Sequence, residues 1–93
     1  MMLRRVSGNS MLPTLTHGQI VYVRRWLYSP RVNDVVMIRH EGLDKIKRIK
    51  AIHGHDITVV GDNPQESTDS RQFGVLPVAV VVGKVLSINF LKT

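Results

Sequence analysis

The chain has 93 residues, with 13 lysines and arginines against seven aspartates and glutamates, a formal net charge of +6, and no cysteine. That length suits one domain with a modest core, so residues 1–93 are predicted to form a single domain. The lack of cysteine excludes a disulfide framework, a thiolate metal site and a cysteine nucleophile. The basic charge suits a nucleic acid, an anionic membrane surface or an acidic protein partner, and does not choose among them.

Short runs rich in Val, Ile and Tyr follow one another along the chain, separated by turn residues. Gln19–Tyr28 and Asp34–His40 are predicted strands, joined by the turn-forming sequence SPRVN. Asp44–His53 is predicted to form a hairpin with the following ITVVGD. Gly61–Gly74 is dense in Gly, Asn, Pro, Ser and Asp and predicts a long loop. A last strand is predicted around Val78–Ile88.

The pattern as a whole predicts an all-β fold. No segment has the 3.6-residue period of a long amphipathic helix, and at most one helical turn is expected, at SMLPTL. We therefore expect a small, mostly antiparallel β-barrel or sandwich.

No apolar run approaches the roughly 20 residues that a membrane span needs. The longest, Val78–Leu91, contains Lys84 in its middle, and MMLRRVSG is not followed by the apolar segment of a signal peptide. We expect a cytoplasmic protein if the chain is complete, and a membrane-associated one if an anchor has been removed.

Ser10, in the stretch VSGNSMLPTL, is the candidate nucleophile. A serine needs a neighbour that takes its proton, and Lys47, inside the apolar frame KIKRI, can be aimed inward by strand alternation. Burial must lower the pKa of such a lysine by about 3 units for it to act near neutrality. The plain alternative is that Ser10 is only a turn or cap residue. The histidines predict no metal site, since His53 and His55 fall in a turn.

Five segments occur in the order and rough spacing of the conserved boxes of the type I signal peptidase family, which the chain resembles over nearly its whole length. They are VSGNSMLPTLTHGQIVYV, NDVVMIRH, IKRI, GDNPQESTDSRQFG and VVGKV. The resemblance implies a largely antiparallel β fold of the signal-peptidase catalytic-core type, with Ser10 as nucleophile and Lys47 as general base. It also implies that the Ser10 N–H holds the oxyanion. Some members have a hydroxyl where this chain has Gly8, so a backbone group or water must supply the second donor here.

The remaining roles also follow from the resemblance. Ser67 is implied to orient the lysine amine, and Met11 and Ile46 to line the substrate site. The substrate is implied to lie extended between the strands that lead to Ser10 and Lys47. Structural roles in the loop are implied for Gly61, Asp62, Asn63, Asp69, Ser70 and Arg71, with Asp69 and Arg71 as an ion pair.

Two departures from typical bacterial members narrow the expectation. The chain lacks N-terminal membrane helices, and only the four residues LDKI lie between RHEG and Lys47, so there is no inserted second domain. In this it resembles the short maturation proteases of nickel-type superoxide dismutase, as well as a generic processing peptidase. The implied partner is a protein precursor with a flexible N-terminus, and no cofactor is expected, because nickel would belong to the substrate. A related self-cleaving repressor family shares the Ser-Lys chemistry but adds a helix-turn-helix domain for which this chain has no room.

Two alternatives remain. A small basic β-barrel could bind nucleic acid without catalysis, with Tyr22, Trp26, Tyr28 and Phe73 as stacking surfaces. That interpretation assigns no function to Ser10 and Lys47. A catalytically idle relative that only binds peptides is the other.

Overall fold

The fold was obtained as a computed structural model, which describes residues 2–66 and 74–87. Within those ranges there is no α-helix, only two short 3₁₀ turns, Pro64–Glu66 and Val78–Val80. None of the described segments is a helix with the length and apolar character to cross a membrane. The strands are β1 (Met2–Arg5), β2 (Ile20–Arg24), β3 (Val35–His40), β4 (Leu43–His53), β5 (Asp56–Val60), β6 (Leu76–Pro77) and β7 (Val81–Ser87).

The seven strands form one sheet in the order β1-β2-β7-β3-β4-β5-β6, and every neighbouring pair is antiparallel. The predicted all-β, antiparallel class is therefore confirmed. The sheet is open, with β1 and β6 at its edges, so it is neither the closed barrel nor the two-sheet sandwich that the sequence suggested.

The strand boundaries follow local chemistry. β2 ends at Arg24, short of the predicted Tyr28, and the next residues are exposed; Leu27 adopts a φ of 53°, which a strand does not accommodate. The predicted hairpin is present as β4 and β5, with Gly54 at φ 62° in the turn.

Strand β3 separates two buried apolar clusters, because its side chains alternate between opposite faces. Met37 packs in the first cluster, while Val36 and Ile38 pack in the second. The first cluster contains Val6, Met11, Leu15, Val21, Val23, Met37 and Val85. The second contains Val36, Ile38, Ile49, Ile57, Val59 and Leu76.

Candidate active site

Ser10 lies in a loop that connects β1 to β2. Hydrogen bonds from the Val6 N–H to the Gln19 carbonyl and from the Gly18 N–H to the Val6 carbonyl, both 2.8 Å, close the base of the loop. The segment after Ser10 makes a single turn, in which the Leu15 N–H donates to the Met11 carbonyl at 2.9 Å. Met11 and Leu15 of that turn are buried in the first cluster and fix the loop, while Ser10 itself is half-buried.

Lys47 lies in β4, opposite Val36 of β3. Its side chain is only 3% exposed, and it is the one charged side chain buried among the residues that the structure describes. The prediction that the KIKRI frame directs Lys47 inward is therefore confirmed as far as burial is concerned.

Ser10 and Lys47 line the same cleft, which has a volume of about 230 Å³. One wall is β1 and the residues after it, and the other is the first half of β4. Met11 and Ile46, the predicted substrate-lining residues, both contribute to the cleft. The described residues that line it are Arg4, Arg5, Val6, Ser7, Ser10, Met11, Met37, Asp44, Lys45, Ile46 and Lys47.

Both walls of the cleft present strand edges that carry no partner among the described strands. β1 is the end strand of the sheet and pairs only with β2. β4 pairs with β3 along Leu43–Arg48, but its ladder with β5 begins at Arg48, so no described strand lies beside residues 43–47 on that side. Unpaired edges offer backbone N–H and C=O groups to an added extended chain.

An ion pair joins β4 to the segment after β5 and to the Ser10 loop. Arg48 donates from Nε and Nη2 to the two carboxylate oxygens of Asp62, at 2.8 and 2.7 Å, and the Thr14 hydroxyl donates to Asp62 Oδ2. The Arg48 hydrogen bonds hold the pKa of Asp62 below its usual value, and the Thr14 bond acts in the same direction. The Asp62 carboxylate is thus held as an anion between β4 and the Ser10 loop.

Asn63, next to Asp62, contacts the backbone around Ser10 directly. Its N–H donates to the Ser10 carbonyl at 2.8 Å, and its side-chain amide donates to the Asn9 carbonyl at 3.0 Å. The loop-shaping roles predicted for Asp62 and Asn63 thus have specific partners, while Gly61 is buried. The sequence did not single out Arg48 or Thr14, because 48 residues separate Thr14 from Asp62. One local indication for Arg48 was present in the sequence. This residue directly follows Lys47 in a strand, so its side chain must lie on the opposite face from that of Lys47.

The Gly8 N–H donates to His17 Nδ1 at 2.8 Å, so this amide is engaged within the loop. Gly8 has a φ of 83°, which is why a glycine stands there. Four other predicted site residues, Ser67, Asp69, Ser70 and Arg71, lie outside the described residues, and their roles stay predictions.

The other residues that the sequence raised are dispersed. His53 and His55 are exposed in the β4–β5 turn, and the part of the chain that the structure describes contains no group of three potential metal ligands. Of the candidate stacking rings, Trp26 is exposed, whereas Tyr28 packs against the second cluster and donates its hydroxyl to Asp34 at 2.6 Å. Phe73 lies outside the described residues.

The site thus combines an open antiparallel sheet with a loop serine and a buried lysine that line one cleft. A family model described as Peptidase S24-like matches residues 1–85, and the chain belongs to that family. This membership agrees with the signal-peptidase-like resemblance of the sequence and supports a protease-type function. A search of curated proteins found no match to the chain.

Proposed function

We propose that the protein is a serine endopeptidase with a Ser10–Lys47 dyad, which removes an N-terminal leader or propeptide from a protein substrate. The observation that supports this most is that Lys47, the buried charged residue, lines the same cleft as Ser10. Burial disfavours the ammonium form of a lysine and so favours the neutral amine that a general base requires. Membership of the Peptidase S24-like family supports the same chemistry.

In this mechanism the neutral Lys47 amine takes the proton from the Ser10 hydroxyl as Oγ attacks the scissile carbonyl carbon. The resulting oxyanion is stabilised by the Ser10 N–H. Collapse breaks the C–N bond, and the Lys47 ammonium gives its proton to the leaving amine. A water molecule, deprotonated by Lys47, then attacks the ester and releases Ser10.

The second oxyanion donor is proposed to be a backbone group or a water near Gly8. The Gly8 N–H itself already donates to His17 Nδ1, so it would have to change partner to serve. Ser67 remains the proposed residue that orients the Lys47 amine.

The substrate is proposed to lie extended between β1 and residues 43–47 of β4, with main-chain hydrogen bonds to both edges. Met11 and Ile46 line the cleft and would contact the substrate side chains. The precursor of a nickel-type superoxide dismutase, which the sequence resemblance implies, is the first protein substrate to test, beside small-residue peptides of a generic processing peptidase.

The test compares wild type with Ser10→Ala and Lys47→Ala on these substrates, from about pH 6 to about pH 10, a range that brackets a lowered lysine pKa. We expect wild-type activity to rise with pH as the amine deprotonates, and both variants to lose it. Ser29→Ala and Lys50→Ala are matched controls, since both side chains are exposed and outside the cleft. The peptidase proposal would be rejected if Ser10→Ala still cleaved a substrate, or if the wild type cleaved none of them.

A further inference from the structure

A second cavity, of about 550 Å³, adjoins the catalytic cleft, and Arg4 lines both. Three arginines line the second cavity together with apolar side chains, and we call it the arginine pocket. Its lining is Met2, Arg4, Arg25, Arg39, Ala79, Val80, Val81 and Val82. A chain that occupies the catalytic cleft can therefore continue past Arg4 into the arginine pocket.

The arginine pocket lies at the end of the cleft remote from Lys47. Arg39 pairs with Asp44 across β3 and β4, and β4 is extended from Asp44 to Lys47. Three residues of strand span about 10 Å. Arg4, on the opposite wall, is close enough to Asp44 to help lower the pKa of that carboxyl. Arg4 and Asp44 therefore lie at the same end of the cleft, away from Lys47.

The charge of the arginine pocket is only partly neutralised within the described chain. Among the described residues, Asp44 is the only acidic one that lines either cavity, and it is held by Arg39 through two hydrogen bonds of 2.8 and 3.2 Å. Neither Arg4 nor Arg25 forms an ion pair with a described residue. Arg4 and Arg25 thus line a cavity whose remaining described residues, apart from Arg39, are apolar, and Arg4 Nη1 donates to the Leu3 carbonyl at 3.0 Å.

We propose that the arginine pocket binds an acidic side chain of the peptide substrate, so that the enzyme prefers substrates with Glu or Asp three or more residues from the scissile bond, on one side of it. This inference rests on the proposed peptidase function. A guanidinium binds a carboxylate in bidentate fashion, and the methylene groups of a glutamate suit the walls formed by Met2 and Val80. A peptide is favoured over a nucleic acid or a lipid because the pocket continues the catalytic cleft through Arg4.

The test uses peptides in which Glu or Gln is placed at each position from the third to the seventh residue on either side of the cleaved bond. At one or more positions on one side, we expect Glu to raise kcat/KM about tenfold over Gln, which corresponds to about 1.4 kcal/mol. Arg25→Gln should lower this ratio severalfold, because only Arg4 would then remain without a carboxylate partner among the described residues. Added salt should also reduce it, because exposed charges are screened.

Arg31→Gln is the matched control, since Arg31 is exposed in the same β2–β3 connection and lines neither cavity. Arg25 is preferred to Arg4 for the test because Arg4 also lines the cleft that holds Ser10.

Binding of the same peptides to Ser10→Ala, measured by fluorescence anisotropy, separates this inference from the proposed function. If wild type cleaves nothing, the peptidase proposal fails, while the Glu-to-Gln ratio of dissociation constants still tests the arginine pocket. Equal kcat/KM and equal dissociation constants at every position would overturn the inference. Tight binding of a single-stranded oligonucleotide or an anionic vesicle, lost in Arg25→Gln and without Glu preference, would also overturn it and assign the pocket to that ligand.

Discussion

Asp62 connects three separate segments of the chain through one carboxylate. It accepts two hydrogen bonds from Arg48 of β4 and one from Thr14 of the Ser10 loop, and it belongs itself to the segment after β5. The side chains of Asp62 and Arg48 are 14% and 30% exposed, so water screens the pair only in part. The group therefore contributes to stability and holds the Ser10 loop against β4.

Replacing Asp62 tests this contribution through its pH dependence. The pKa of Asp62 is lowered by Arg48, so the stabilisation is complete above the pKa of an unfolded aspartate, about 3.9, and is lost as the pH falls through the lower folded value. We expect Asp62→Asn to reduce the free energy of unfolding by about 1 to 3 kcal/mol near neutrality, and by less in strong acid. Urea denaturation at several pH values measures both quantities.

Asp56→Asn is the control, because Asp56 is exposed in the β4–β5 turn and makes no ion pair with a described residue. If the loss of stability in Asp62→Asn did not vary with pH, the carboxylate would stabilise the fold through packing and not through its charge.

Residue-level prediction from the sequence succeeded where a local pattern carried the information. The burial of Lys47 follows from its apolar neighbours, and the single turn expected at SMLPTL is present, with the Leu15 N–H bonded to the Met11 carbonyl. The Thr14–Asp62 contact had no such pattern, because it depends on how distant segments cross in space. The pocket that Arg4 and Arg25 line could not be predicted from the sequence for the same reason.

At the scale of elements, β7 is the strand that holds the two halves of the sheet together. It pairs with β2 on one side and with β3 on the other, where a bulge lies between Met37 and Ile38. Gly83 lies opposite Met37 in this strand. A Cβ at Gly83 would overlap the Arg24 carbonyl oxygen and lie 2.8 Å from Val23 Cγ1, so glycine is required by the close approach of β2.

Gly83→Ala is expected to destabilise the protein by about 3 kcal/mol, since the atoms it meets include backbone that cannot move without disturbing the sheet. Gly54→Ala provides the comparison. Its Cβ meets nothing within 4 Å, and only its φ of 62° opposes the change, at a cost of about 1 kcal/mol. Thermal and urea unfolding of both variants measure the difference. Equal stability of the two would show that β2 and β7 separate easily at this point.

The strands that the sequence predicted are those whose own residues favour a strand. Val and Ile runs identified β2 to β5 and β7, and Gly54 identified the hairpin turn. β1 was implied only by the family resemblance, as the strand leading to Ser10, and β6 was not predicted, because MLRR and LP are short and become strands only through pairing with β2 and β5. The open sheet was also beyond the sequence, since strand order depends on long-range pairing, such as that of β2 with β7.

At the scale of the whole molecule, two apolar clusters share one sheet. Each is small, and the two share strand β3, which supplies Met37 to the first and Val36 and Ile38 to the second. Loss of packing on one face should therefore disturb the strand that orders the other. We infer that the chain unfolds as one cooperative unit, as most single domains of this size do.

Leu15→Ala and Ile57→Ala test this inference from opposite faces. Leu15 is 3% exposed in the first cluster, and Ile57 is fully buried in the second. Each truncation should cost about 2 to 5 kcal/mol, a large part of the roughly 5 to 15 kcal/mol that stabilises a domain. Leu43→Ala, at a 62% exposed position, should cost little.

If the clusters are coupled, each core variant lowers the midpoint of a single transition in circular dichroism. Each should also weaken hydrogen-exchange protection at both Val21 and Val59, which lie in different clusters. Protection lost only at Val21 in Leu15→Ala, or only at Val59 in Ile57→Ala, would contradict the inference. In that case the Ser10 side of the sheet could open while the β4–β5 side stayed folded, because the shared strand β3 would not transmit the loss of packing.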